Sequence, residues 1–211
     1  MKQEQQPIDW LRYERETAQE GYSIVCGIDE AGRGPLAGPV FAGAVILPEG
    51  CVIPGVKDSK KLTEKKREEL YSVIIEKAVA WGVGFATEQE IDEINILQAT
   101  FLAMRRAAAK LNPAPQLALV DGNRAPLLPM PVRTIVKGDG CCESIAAASI
   151  LAKVSRDRLM RKVDTLYPMY GFAKHKGYGT AQHRQALLQF GPCPIHRKTF
   201  LKKILGSSYE K

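Results

Sequence analysis

An apolar run, Tyr22 to Ile28, ends on two adjacent carboxylates, Asp29-Glu30, and no other feature constrains the fold as much. The run reads as a buried strand, and carboxylates at its end are costly near a core unless paired or metal-bound. Ala31 to Pro39 is rich in glycine and proline, which signals a turn. Val40 to Leu47 is a second apolar run, so the pair predicts an antiparallel hairpin. A hairpin at the start argues against an all-parallel sheet.

Downstream, Thr63 predicts a helix cap, with Leu70, Val73 and Ile74 on one face. Ala78 to Ala86 reads as a third strand. Thr87-Glu88-Gln89-Glu90 has the capping-box form, and Asn95 with Gln98 repeats it, predicting a short helix and then a long one stopped by Asn112 to Pro115. Leu117 to Val120 and Arg133 to Lys137 read as strands. Ser144 to about Val163 is an alanine-rich helix without Gly or Pro, and Ala181 to Gln189 predicts another. The expectation is an α/β fold: a mixed sheet flanked by helices, with residues 1–20 as an N-terminal arm, 21–211 as the domain, and a basic helical appendage from about 165.

Strand ends supply the chemistry. Asp121 closes a strand in Leu119-Val120-Asp121-Gly122, and Asp139 follows another in Lys137-Gly138-Asp139-Gly140. Taken singly, each acid is as readily a turn or cap residue. If the strand ends converge, Asp29, Glu30, Asp121 and Asp139 form an all-oxygen set suited to hard divalent cations. Gly32-Arg33-Gly34 lies just beyond the acidic pair, where glycines allow close backbone approach and arginine can pair with phosphate. Alone, this tripeptide is equally a plain turn. Ser149, Lys153, Arg156, Arg158, Arg161 and Lys162 lie on the 144–163 helix, as a phosphate-binding face or a solvated one. Its N-terminus also favours anions. Tyr178, between Gly177 and Gly179, could stack on a sugar or base.

Charge supports a polyanionic partner. Between Lys153 and Lys211, Lys and Arg outnumber Asp and Glu by 13 to 3, while the whole chain carries only +7. Five cysteines, none in a C-x-x-C pair, suggest neither a disulfide framework nor a zinc site. His175, His183 and His196 lack metal-ligand spacing with one another. His175, between two lysines, is expected to be exposed. No apolar run approaches the ~20 residues of a membrane helix, and the polar N-terminus lacks a secretory signal. A soluble, cytoplasmic protein is expected.

Together these stretches resemble the ribonuclease HII family, from about Tyr22 to about Phe200. The resemblance is carried by GIDEAGRGPLAGPV (27–40), DSKKL (58–62), NILQAT (95–100), VDGN (120–123) and KGD (137–139), then SIAAASILAKVSRD (144–157), GYGT (177–180) and GPCPIHR (191–197). It implies a ribonuclease H-like fold and hydrolysis of the RNA strand of RNA–DNA hybrids. It further implies cutting of DNA duplexes at embedded ribonucleotides, as in ribonucleotide excision repair. Asp29, Glu30, Asp121 and Asp139 would bind Mg²⁺ or Mn²⁺, Gly32, Arg33 and Gly34 would grip 2′-hydroxyls, and Tyr178 would recognise the RNA–DNA junction. Glu143 is not counted as a ligand. The related type 3 enzymes carry an N-terminal substrate-binding domain, whereas only about 20 residues precede the first strand here. A monomer is the default expectation, and no motif assigns a replication clamp as partner. Integrases and junction-resolving nucleases also gather carboxylates around metals without reading ribose. A non-catalytic nucleic-acid binder would satisfy the charge but not the strand-end acids.

Overall fold

A computed structural model describes residues 8–56 and 59–206. Residues 1–7 of the arm, Asp58 of the DSKKL stretch and residues 207–211 lie outside the described residues. Helix α1 (Arg12–Gln19) leads into β1 (Val25–Ala31) and β2 (Val40–Ile46), the expected hairpin. Then follow α2 (Glu64–Lys77), β3 (Ala80–Ala86), α3 (Glu88–Ala108), β4 (Leu117–Asp121) and β5 (Val132–Ile135). A long helix, α4 (Glu143–Leu166), precedes three shorter ones, α5 (Phe172–His175), α6 (Ala181–Phe190) and α7 (Lys198–Leu205).

The sheet runs β3-β2-β1-β4-β5, antiparallel across the first three strands and parallel from β1 through β4 to β5. Helix α3 covers one face, packing Ala99, Ala103, Met104 and Ala107 against Ile28, Ala42 and Ala44. On the other face, α4 sets Ala146, Ala147, Ala148 and Ile150 beside Val45, with Leu70 and Ile74 of α2 in the same cluster. The approach is close because the strands carry glycine there. A Cβ on Gly27 would meet the Ser144 backbone at 2.1 Å, and one on Gly43 the Ala148 carbonyl at 2.3 Å.

Local caps form where the sequence predicts them. Thr63 Oγ1 accepts from Lys66 N–H, and Thr87 with Glu90 closes a full capping box. The two predicted helices after Thr87 form one kinked element, because Asn95 leaves helical geometry (φ 66°) and its Oδ1 accepts from Leu97 and Gln98 N–H. Two boundaries bear on the acids: β1 runs on to Ala31, so Asp29 and Glu30 lie within it rather than closing it, and β5 ends at Ile135, after which Lys137 turns left-handed (φ 58°) into a 3₁₀ turn, Gly138–Gly140. Asp139 therefore sits on that turn rather than directly on a strand end.

Two long-range caps have no local signature. Glu14 of α1 accepts from Ser144 N–H, Ser144 Oγ and Cys142 Sγ at the start of α4. The N-terminus of α4 is thus already met by a carboxylate, which corrects its reading as an anion site. Asp92 of α3 accepts from Lys198 and Thr199 N–H, fixing the start of α7.

Candidate active site

The sheet brings the acids together. Ile28 pairs with Val120 in parallel register, so Asp29, within β1, and Asp121, at the end of β4, follow side by side, with Glu30 next along β1. The Lys137 turn brings the chain back, and Gly138 N–H donates to Asp121 Oδ1 at 2.7 Å. Asp139 lies one residue further and is 7% exposed.

Their electrostatics form a chain. Burial raises the Asp29 carboxyl well above its ordinary range, and Glu30 and Asp121 push it further. Burial raises Glu30 too, against the pull of Arg33 and with a push from Asp121. Asp121 is raised by burial and then by Asp139. Among the described residues, no three His, Cys, Asp or Glu side chains stand as a ready-made cation site. The acids lean instead on local partners. Asp29 Oδ1 accepts from the Glu30 N–H at 2.7 Å, Glu30 pairs with Arg33 at 3.4 Å, and Asp139 pairs with Lys60 at 3.6 Å. Glu143 takes no part; it accepts from Ile53 N–H, and burial pushes it up to about 7.

The other predicted residues divide. Gly32 adopts φ +95°, open to glycine at little cost, and turns the chain after the acids. Tyr178 is 45% exposed, and a Cβ on Gly34 would lie 3.8 Å from its ring. The Gly32-Arg33-Gly34 loop and Tyr178 are therefore neighbours. Arg33 also lines a groove of about 340 Å³ with Glu30, Asp121, Arg124, Leu97 and Phe101.

Ser149 and Lys153 are placed differently from a solvent-facing phosphate contact. Ser149 is 2% exposed, bonds Ser59 Oγ at 2.8 Å and supports the Asp29 carboxylate from below. Lys153 is half-buried and pairs with Asp157 at 2.6 Å. The rest of the expected basic face is also corrected. Arg158 and Arg161 pair with Glu68 and Glu64 of α2, and Arg156 is 1% exposed. These three cations are matched within the protein, whereas Lys162 of the same helix is exposed.

The histidines are satisfied rather than solvated, and His175 is half-buried rather than exposed. Cys193 N–H donates to His196 Nδ1 at 2.9 Å, which leaves His196 Nε2–H to donate to His183 Nε2 at 3.0 Å. His183 Nδ1–H then donates to the Tyr178 carbonyl at 3.0 Å. His175 stacks on His183 with ring centroids 4.6 Å apart. Burial draws both His183 and His196 down to about 4.

Sequence reasoning missed Arg197, which is fully buried in the GPCPIHR stretch and donates to the Gly32, Arg33 and Gly38 carbonyls. Its available signal was an arginine in a segment otherwise poor in charge.

Comparison with known proteins agrees with this geometry. The family model described as Ribonuclease HII matches residues 26–203. A Ribonuclease HII from Caldicellulosiruptor saccharolyticus is 53% identical over 93% of this chain and 96% of its own. One from Geobacter sulfurreducens is 56% identical over 97% and 95%. Among solved structures, the ribonuclease H2 of Pyrococcus horikoshii OT3 superposes with a TM-score of 0.73 at 32% identity, covering 89% of this chain and 99% of that one. With the expected ribonuclease H-like sheet in place and the match spanning most of its length, the chain belongs to the ribonuclease HII family of metal-dependent endoribonucleases, which cleave RNA in RNA–DNA hybrids.

Proposed function

We propose that the chain cuts the RNA strand of hybrids and also cuts DNA duplexes on the 5′ side of embedded ribonucleotides, leaving 5′-phosphate and 3′-hydroxyl ends. One observation carries the reading: Asp29, Glu30 and Asp121, raised by burial and by acidic neighbours, lie with the buried Asp139 beside a glycine loop and an exposed tyrosine.

The donor set fits a hard divalent cation. It is all oxygen, and mutual repulsion among buried acids is what such a cation relieves. Asp29, Glu30, Asp121 and Asp139 would hold Mg²⁺ or Mn²⁺. Two such ions, when bound, supply an activated water and a stabilised leaving oxygen for phosphodiester hydrolysis. The chain itself orients the substrate. Gly32, Arg33 and Gly34 present backbone groups to the 2′-hydroxyl that separates RNA from DNA. Tyr178 stacks at the junction. Arg33, half-exposed beside Glu30, offers a phosphate partner. Ser149 and Lys153 act from beneath, Ser149 on Asp29 and Lys153 through Asp157, rather than on the duplex. Exposed Lys174, Arg184, Lys198 and Lys203, in the part from about 165 onward, dock the backbone. The protein works as a monomer whose catalytic domain runs from residue 21 onward with α1 packed on it through Glu14, in a reducing cytoplasm that suits its five free thiols.

The test is cleavage of a labelled DNA duplex holding one ribonucleotide, with Mg²⁺, Mn²⁺ or EDTA, against an all-DNA control. A metal-dependent cut 5′ of the ribonucleotide, absent from the control, is expected. Equal cutting of both duplexes would move the reading to a ribose-blind nuclease, and binding without cleavage to a nucleic-acid binder.

A further inference from the structure

We infer that Arg156 and Arg197 are positioning residues for ribose recognition, two buried guanidiniums that fix the peptide planes of residues 32–39. The inference rests on the reading of Gly32-Arg33-Gly34 as the loop that meets the 2′-hydroxyl.

Arg197 is 0% exposed and Arg156 1%. Burying a guanidinium is costly unless its donors are met. Among the described residues, neither has a carboxylate ion-pair partner; their donors go to backbone carbonyls. Arg197 donates to Gly32 O at 2.6 Å, Arg33 O at 2.8 Å, and Gly38 O at 2.6 and 2.9 Å. Arg156 donates to Ala37 O and Pro39 O at 3.0 Å, and to Lys176 O at 2.9 Å. Two cations thus wrap one loop from beneath and tie it to the strand of chain that carries Tyr178. A packing role alone would be served by apolar side chains, without desolvating two charges.

The direction of the loop's donors follows from peptide geometry. In a planar trans peptide the carbonyl and the following N–H point in opposite directions. Drawing the Gly32 carbonyl onto Arg197 turns the Arg33 N–H away from the protein interior. Drawing the Arg33 carbonyl onto the same guanidinium does the same for the Gly34 N–H. Among the described residues neither N–H has a hydrogen-bond partner, and the Tyr178 ring stands beside Gly34. Gly32 belongs to the same device. A Cβ there would lie 2.0 Å from Arg156 Nε, so the guanidinium fills the space a side chain would need.

The device couples two otherwise separate parts of the chain. Leu36 N–H donates to the Gly177 carbonyl and Arg197 N–H to the Leu36 carbonyl. Arg156 holds Lys176 O, and His183 holds Tyr178 O. The probe loop and the Tyr178 turn are therefore positioned by one shared network, and a change in either arginine shifts the one against the other.

The test uses Arg197→Lys, which keeps charge and similar volume but loses the fork that reaches three carbonyls at once. Turnover of a one-ribonucleotide duplex is measured, together with competitive inhibition by an all-DNA duplex, which reports docking without ribose. The expected result is a kcat lower by about tenfold or more, as for loss of charge-assisted hydrogen bonds, with KM and all-DNA inhibition unchanged and a cooperative melt retained. Should Arg197→Lys not fold, Arg156→Lys, which loosens the Lys176, Ala37 and Pro39 carbonyls and so shifts the Tyr178 turn against the loop, is read in the same two assays. Undiminished kcat in a folded variant overturns the inference, as does equal weakening of turnover and all-DNA binding, which marks a merely structural role. Failure of the wild-type protein to prefer the ribonucleotide duplex would instead sink the underlying reading of the loop.

Discussion

Two regions of this molecule bury charge, and they do so in opposite ways. At the carboxylate edge, acids are crowded against acids, with Arg33 and Lys60 as the nearby cations. Beneath the 32–39 loop, Arg156 and Arg197 are crowded against carbonyls, and their donors are met. The second arrangement is complete within the protein. The first is not, since burial and repulsion both raise Asp29 and Asp121. Incomplete compensation marks where the protein expects something from outside, and complete compensation marks where it holds itself in shape.

The largest expected effect breaks the first region. Asp121→Asn removes a proposed ligand and should lower cleavage more than about 100-fold, beyond what residues one shell further out typically cost. Stability should not fall, because one member of a repelling set is lost. In the wild type, saturating Mg²⁺ or Mn²⁺ should raise unfolding stability by about 2.7 kcal/mol at a hundred times its Kd, and Asp121→Asn should lose most of that gain. Chemical denaturation with and without the cation measures both. A variant that cleaves at the wild-type rate would remove Asp121 from the site.

Acid sets the two regions against each other. A carboxyl whose folded pKa lies above its unfolded value contributes stability below the unfolded value and loses it as pH rises through the folded one. Asp29 therefore strains the neutral protein, and acid relieves that strain. His183 and His196 are shifted from 6.5 down to about 4. A depressed histidine contributes stability above about pH 6.5 that is lost as pH falls through about 4. The physical reason is geometric as well: a second proton on His183 puts two donors face to face across the 3.0 Å His183–His196 bond, and one on His196 Nδ1 opposes the Cys193 N–H that bonds there. In cation-free unfolding between pH 7 and 4, His196→Gln should gain stability relative to the wild type as pH falls. Asp29→Asn should lose stability relative to the wild type over the same range, since it lacks one of the raised carboxyls that oppose the histidines. A His196→Gln profile parallel to that of the wild type would show that the histidine network contributes nothing.

Legibility in the sequence followed the range of the interaction. The hairpin, the Thr87 capping box and the Asn95 break could be read because each rests on residues near one another in the chain, and the mixed sheet followed from the hairpin and the order of strands and helices. The change from apolar to acidic residues singled out the four acids, but it left their convergence open, since Asp29 and Glu30 lie within β1 and Asp139 lies on a 3₁₀ turn. What stayed hidden is long-range. Glu14 caps a helix 130 residues away, and Asp92 caps one 106 residues away. Neither leaves a local trace, since Cys142 and Arg197, at the N-caps themselves, make no side-chain cap bond. The cost of Glu14→Ala should be about 1 kcal/mol, as for a lost N-cap. It should appear in melting while the carboxylate edge keeps its cation response. Loss of that response would show that α1 supports the acidic region as well as α4.

The smallest expected effect separates a charge that docks substrate from one that only packs. In sequence, Arg158 and Arg161 belong to the same basic run as Arg156, and all three read as candidates for a phosphate-binding face. In the fold they diverge. Arg156 turns inward to the loop. Arg158 lies over the Tyr71 ring at 4.3 Å and pairs with Glu68 at 2.5 Å, and Arg161 joins the same pair of α2 glutamates. Partly exposed pairs of this kind contribute less than about 1 kcal/mol, so Arg158→Gln should lower stability slightly. A cation already matched by a carboxylate on its own protein releases no counterion from DNA. Duplex affinity and its salt dependence should therefore match the wild type, whereas loss of one phosphate contact would reduce the salt slope by about one. Measuring that slope for Arg158→Gln against Lys203→Gln, an exposed cation of the C-terminal part, decides where the duplex lies. A reduced slope for Lys203→Gln alone places the backbone along the C-terminal part. A reduced slope for Arg158→Gln would return the long helix to the docking surface, and its pairing with α2 would then have to open on binding.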